Sequence, residues 1–301
     1  LSLQVISAIS EKDTTKLNIL SENNKEQIEK LTETAIKNAD ATEESAELIA
    51  KVVSVASDEL VNKVVEEVSK NSTEENQALS AKVMKSIVET NPEKIETLSN
   101  ENKETMITQT IEAAKNQEEG STNDEVDLSN IVAEIVTKAD NDTASKVLET
   151  LDEVTTNTDS KLALNVVNNL TKQKNYEEKI EILSATSSGV EQNITKLVEK
   201  AVESAQSEDD MAIVTNLVEN SKGTLSNKVL NSANKNEANK KKVSEVIVKI
   251  VEKNPEKAVE IIEKNKNTNT ITKTIKTKIE NNEAVTTEDF DKVFDKNISP
   301  N

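Results

Sequence analysis

Residues 89–98 read ETNPEKIETL, and 163 residues further on, residues 252–261 read EKNPEKAVEI. The chain has only three prolines, so placing two in one phrase points to a repeated unit. Extending the alignment outward supports this. Residues 82–111 read KVMKSIVETNPEKIETLSNENKETMITQTI and residues 245–275 read EVIVKIVEKNPEKAVEIIEKNKNTNTITKTI. Weaker copies occupy residues 3–31, where Leu20 and Ser21 match Leu98 and Ser99, and residues 165–199, with Leu183 and Ser184 in the same slots. A second phrase lies between them, NKVVEEV at 62–68, SKVLETL at 145–151 and NKVLNSA at 227–233. It sets Lys63, Lys146 and Lys228 at intervals of 83 and 82 residues. A shorter match, DKVF at 291–294, comes too early for this period.

Local chemistry turns the period into helices. Leu79, Val83, Met84, Ile87 and Val88 follow the 3 and 4 spacing of an amphipathic helix over 73–90. Asn91-Pro92 ends that helix, because a residue before proline is pushed out of helical geometry, while proline starts a helix without needing an amide partner. Asn91 is expected to cap the helix that follows. That helix is short, about 92–99, with Ile95 and Leu98 inward. A third over about 103–115 uses Met106, Ile107, Ile111 and Ala114, and two more follow on Ile131, Val132, Ile135 and Val136, then on Val147, Leu148 and Leu151. Strict alternation of apolar and polar residues is rare and there are only three glycines, so little strand is expected.

The fold class expected is therefore all-α, an elongated right-handed α-solenoid of short helices in tandem repeats of about 80 residues. One array is expected to span 1–301, with repeats at about 1–72, 73–156 and 157–234 and an incomplete fourth at 235–301. Short helices are marginal alone and gain stability by stacking on their neighbours. These short helices, proline corners and aliphatic seams resemble the HEAT and armadillo class of superhelices in architecture. Their consensus positions are not found, nor is the tetratricopeptide pattern, so no functional residue carries over.

Composition narrows the chemistry. Of 301 residues 34% are apolar, and Tyr176, Phe290 and Phe294 are the only aromatics. There is no Cys, His, Trp or Arg, so all 37 basic residues are lysines, set against 56 acids for a net charge of −19. Such a chain repels phosphate backbones and lacks the guanidinium fork that reads guanine, which argues against nucleic-acid partners. Imidazole bases, thiolate nucleophiles, disulfides and the usual zinc sites are excluded. A carboxylate pair or a Schiff-base lysine would need an apolar, aromatic-walled pocket, for which the material is scarce, so no enzyme activity is expected. High charge with few aromatics is also the signature of disorder, but aliphatics kept in register through four copies argue against it. No run of 18 apolar residues exists to span a membrane.

Candidate sites are few. Glu118, Glu119, Asn123, Asp124, Glu125 and Asp127 crowd a loop around Gly120, and Glu119, Asp124 and Asp127 are the candidate ligands for calcium, which takes several oxygens on a flexible loop. The EF-hand spacing is missing, and an ordinary solvated loop with acids at a helix start is the simpler reading. Glu208, Asp209 and Asp210 form a second acidic cluster. The recurring Lys63, Lys146 and Lys228 could grip an acidic partner or a neighbouring copy, although any polar residue suits an outer helix face. Asn-x-Ser/Thr acceptors stand at Asn71, Asn141, Asn169, Asn193 and Asn297, about as many as chance supplies in a chain this rich in Asn, Ser and Thr. No cofactor is expected.

Two roles fit. The chain begins LSLQVISAISEKD, without an initiator Met, a basic n-region or a small-residue cleavage site, and reads as a segment of a longer polypeptide or one whose leader has been removed. Its composition is similar in bulk chemistry to bacterial and archaeal surface-layer proteins, and Lys, Asn, Ile and Glu without Arg suggest an AT-rich coding genome. The first expectation is thus a non-enzymatic structural segment of a secreted or cell-surface protein, a surface layer, fibre or adhesin stalk, whose partners are copies of itself or neighbouring repeats. The alternative is a cytoplasmic solenoid scaffold that holds a protein or peptide on a concave face, although the aromatic and arginine anchors usual there are mostly absent.

Overall fold

In a computed structural model of the chain, the residues described are 25–70, 73–118, 127–155, 161–186, 188–220, 224–233, 235–256, 258–259 and 269–289. Most of copy 3–31, Phe290, Phe294 and the DKVF phrase at 291–294 lie outside them. Among the described residues the structure is helical and contains no strand. Contacts gather into two units, Leu1–Val154 and Thr155–Asn301.

Unit 1 contains α1 (Lys25–Lys37), α2 (Glu43–Val55), α3 (Asp58–Val68), α4 (Glu74–Thr90), α5 (Glu93–Glu96), α6 (Asn100–Glu118), α7 (Leu128–Lys138) and α8 (Asn141–Val154). Unit 2 contains α9 (Leu162–Lys172), α10 (Tyr176–Thr186), α11 (Ser188–Ser204), α12 (Glu208–Asn220), α13 (Thr224–Ser232), α14 (Glu237–Lys253) and α15 (Asn269–Glu280). Helix starts follow side-chain chemistry. Thr42, Ser57, Thr73, Asp127 and Asn236 each sit at an N-cap and accept from a backbone N–H three residues on, which satisfies a donor that the helix leaves unpaired.

The same five-helix sequence recurs. Helices α2 to α6 are matched in order by α7 to α11 and again by α12, α13, α14, the short turn after Pro255, and α15. In unit 1 one row of packed helices runs α2, α4, α7 and a second runs α1, α3, α6, α8, with α2 on α3, α4 on α6 and α7 on α8 between rows. Unit 2 repeats the scheme, with α9, α12 and α14 in one row, α11 and α13 in the other, and α9 on α11 and α12 on α13 between them. The unit of packing is therefore a helical hairpin, and each repeat holds a short hairpin and a longer one interrupted by a corner.

Burial explains why this arrangement tolerates a chain so poor in apolar residues. Helix α4 lies between α2 and α7 in its row and also contacts α6, and Ala81, Val83, Met84, Ile87 and Val88 are buried on it, with Ser80 and Lys82 as well. Small and medium aliphatics fill the narrow seams on several sides of one helix, where a bulky ring would hold the helices apart.

The proline corner is clear in its backbone angles. Asn91 (φ −156°, ψ 66°) and Asn254 (φ −151°, ψ 82°) leave helical geometry in the same way, and each closes its helix by donating its N–H to the carbonyl of Ile87 or Ile250. The expectation that the Asn91 side chain caps α5 is corrected. Helix α5 has no side-chain cap, and Asn91 Nδ2 instead donates to Ser54 O at the end of α2 across 3.3 Å. The carbonyls of Asn91 and Pro92 accept the first bonds of α5, which is itself shorter than expected. In copy 165–199 the corner is made without proline, by Asn175 at φ 62°, a left-handed conformation that asparagine tolerates.

Candidate functional site

Two of the three recurring lysines, Lys146 and Lys228, bind a neighbouring helix. Lys146 on α8 lies 3.2 Å from Glu104 on α6 and 3.4 Å from Glu149 on its own helix, and the bond to Glu104 raises its pKa. Lys228 on α13 donates to Thr195 Oγ1 on α11 at 2.7 Å and lies 3.4 Å from Glu191 on that helix. These are equivalent ties, because α8 follows α6 in one row as α13 follows α11 in the other unit. Lys63 pairs within α3, with Glu66 at 3.2 Å and Glu67 at 3.3 Å, and the bond to Glu66 raises its pKa. The other row of unit 1 is tied in the same manner. Lys85 on α4 meets Glu43 on α2 at 3.6 Å, and Lys138 on α7 meets Glu89 on α4 at 3.8 Å.

The acids of the two clusters that the structure describes sit mainly at helix starts. Glu119 and Asp124 lie outside the described residues. Asp127 is the N-cap of α7, its Oδ1 accepting from the Ser129 hydroxyl at 2.5 Å and the Asn130 N–H at 3.2 Å. Among the described residues no group of three acids is placed to hold a metal ion. In the second cluster Glu208 and Asp209 are exposed, while Asp210 is buried. Asp210 Oδ2 accepts the N–H groups of Gln206 and Ser207, both at 3.0 Å, and Ser207 Oγ accepts the Asp210 N–H at 3.1 Å. This is a capping box with aspartate in the reciprocal position. Oδ1 also takes the Lys161 ammonium at 3.1 Å. Burial opposes ionisation, but these donors prevail and hold the carboxyl at about 2.

The Asn-x-Ser/Thr acceptors differ in access. Asn141 is exposed at the start of α8, Asn193 is half-buried within α11, and Asn169 is buried with its Oδ1 accepting from Lys172 at 2.9 Å. Asn71 and Asn297 lie outside the described residues.

One concave feature had no signal in the sequence. A small pocket in unit 1 is lined by Ile36, Lys37 and Ala39 at the end of α1, Glu67, Val68 and Lys70 at the end of α3, and Asn76 and Leu79 on α4. Its carboxylate is the buried Glu67, held by Lys63 at 3.3 Å and Lys70 at 3.1 Å.

No family model, curated protein or solved structure matches the chain. Its functional reading therefore rests on its own geometry. Among the described residues no helix is long and apolar enough to cross a membrane.

A further set of bridging side chains has no signal in the sequence, because their partners lie 29 to 40 residues away. Asn62 on α3 donates to Thr97 O at 3.0 Å and accepts from the Ser99 N–H at 2.6 Å and from Asn102 Nδ2 at 3.0 Å. Gln109 on α6 donates to Ser69 O at 2.7 Å and accepts from the Ser80 hydroxyl at 2.5 Å. Asn62 thus ties α3 to the corner before α6, and Gln109 ties α6 to the end of α3 and to α4.

Proposed function

We propose that the chain is a non-enzymatic structural segment, a right-handed α-solenoid belonging to a larger secreted or cell-surface protein, which associates with further copies of itself or with neighbouring repeats in a surface layer, fibre or stalk. The observation that carries this reading is the recurrence of the Lys146–Glu104 and Lys228–Glu191 ties at equivalent places in the repeat. A side chain that recurs in register and spends its charge on the adjacent hairpin serves the continuity of the array, and a repeated array contacts only its neighbours, so it extends without changing its design. Acidic composition free of Arg and Cys supports the same role.

Electron microscopy of the purified, concentrated chain tests the proposal. Ordered filaments or sheets are the expected outcome. A dispersed monomer that captures one cytoplasmic protein on its helical face would replace this reading with that of a binding scaffold.

A further inference from the structure

Unit 2 places a lysine where unit 1 leaves its pocket. The two proline corners align Asn91 with Asn254, Ile87 with Ile250 and Val83 with Val246, a constant offset of 163 that sets Lys242 at the position of Leu79. Likewise TETAIKNA at 32–39 aligns with VEKAVESA at 198–205, which sets Val202 and Glu203 at the positions of Ile36 and Lys37. In unit 2 the Lys242 ammonium donates to Val202 O at 3.0 Å and to Glu203 O at 2.7 Å, so a lysine from α14 closes the C-terminal end of α11. Burial lowers the pKa of this lysine, while Glu203 and Asp210 oppose that shift. In unit 1 the counterpart of Lys242 is the buried Leu79, and Ile36 and Lys37 line the open pocket.

We propose that the unit 1 pocket is a binding site for a primary alkylammonium group, such as a lysine side chain, which would supply from outside the contact that Lys242 makes internally in unit 2. The chain end that receives an ammonium in one unit lines a cavity in the other. The last turn of a helix carries the negative end of its dipole and favours a cation. Ile36, Val68 and Leu79 give the alkyl stem an apolar wall. The counter-charge moves from Glu203 and Asp210 to Glu67, which stands at the position of Ser232 and whose carboxylate lines the pocket. Lys70, paired with that carboxylate, is 53% exposed and can exchange it for water when another ammonium arrives. The site does not depend on the chain being a structural segment, since it would bind a free amine whether or not the array assembles.

Titration of the full chain with Nα-acetyl-lysine N-methylamide, followed by amide chemical shifts, tests this. Saturable shifts at Ile36, Ala39, Val68 and Leu79 are expected, with no response to butyrate. Glu67→Gln weakens binding roughly tenfold, the value of one charge-assisted hydrogen bond. Leu79→Lys, which copies unit 2, keeps the far-ultraviolet circular dichroism of the parent and abolishes the shifts. Two sources of the amine are separated by sedimentation velocity. Concentration-dependent dimers lost in both variants assign the lysine to a second copy, and a monomer that still shows the shifts assigns it to a free amine or peptide. Shifts with butyrate alone would give the pocket to an anion held by Lys37 and Lys70 and overturn the proposal, as would no response to the amine in the folded parent chain.

Discussion

Replacing Asp210 with asparagine tests a buried, charged helix cap in unit 2. The carboxylate is buried, accepts two backbone N–H groups and the Lys161 ammonium, and has its pKa lowered from 3.8 to about 2. Each pKa unit corresponds to about 1.4 kcal/mol, so the charge contributes on the order of 2 kcal/mol to stability at neutral pH. The sign follows from the direction of the shift. A carboxylate whose folded pKa is depressed contributes fully above its unfolded pKa, near 4, and the contribution is lost as pH falls through the folded value near 2. Asp210→Asn keeps an acceptor oxygen but removes the charge. Urea unfolding followed by circular dichroism is expected to show the variant destabilised by about 1 to 2 kcal/mol at pH 7, with the gap roughly halved by pH 3. Equal stability of the two proteins at pH 7, or a gap that does not narrow on acidification, would refute the assignment of Asp210 as an ionised capping residue.

Three further substitutions probe the hairpin array. Met84→Ala, in the middle of α4 and fully buried, is expected to cost about 2 to 5 kcal/mol in thermal or urea unfolding, since it opens a cavity among α2, α6 and α7. Asn62→Ala strips the bonds to Thr97, Ser99 and Asn102 and should cost about 1 to 3 kcal/mol, with faster hydrogen exchange over 97–102 as its local signature. Lys146→Met removes a half-exposed tie and should cost less than about 1 kcal/mol, an effect that added salt diminishes further in the parent protein.

Helices α4, α6, α7 and α8 were legible in the sequence because their core positions fall at helical spacing and their starts carry the capping residues Thr73, Ser99, Asp127 and Asp140. The period was legible because Asn91-Pro92 and Asn254-Pro255 announce it. What the residues of one helix cannot disclose is the partner across the hairpin. Lys146 looked like any outer-face lysine, since Glu104 is 42 positions away. Asn91 looked like a cap for α5, but its amide turns back to α2 because the pre-proline conformation directs it there. Asp127 and Asp210 stand in acidic clusters whose simpler reading is acids at a helix start, and each serves the first turn of its helix, Asp127 with a backbone bond from Asn130 and Asp210 with bonds from Gln206 and Ser207. The pocket left no trace at all, because the end of α1 that lines it is separated in sequence by α2 from its other walls on α3 and α4.

Amide hydrogen exchange at single-residue resolution tests the repeat itself most directly. Three matching blocks of protection are expected, over Glu43–Val55, Leu128–Lys138 and Glu208–Asn220, each followed by its partner helix. Breaks are expected at Asp40–Ala41, Asp127 and Gln206, where the first helix of each short hairpin begins. Uniform rapid exchange, or protection whose blocks do not recur at intervals of about 83 residues, would contradict it.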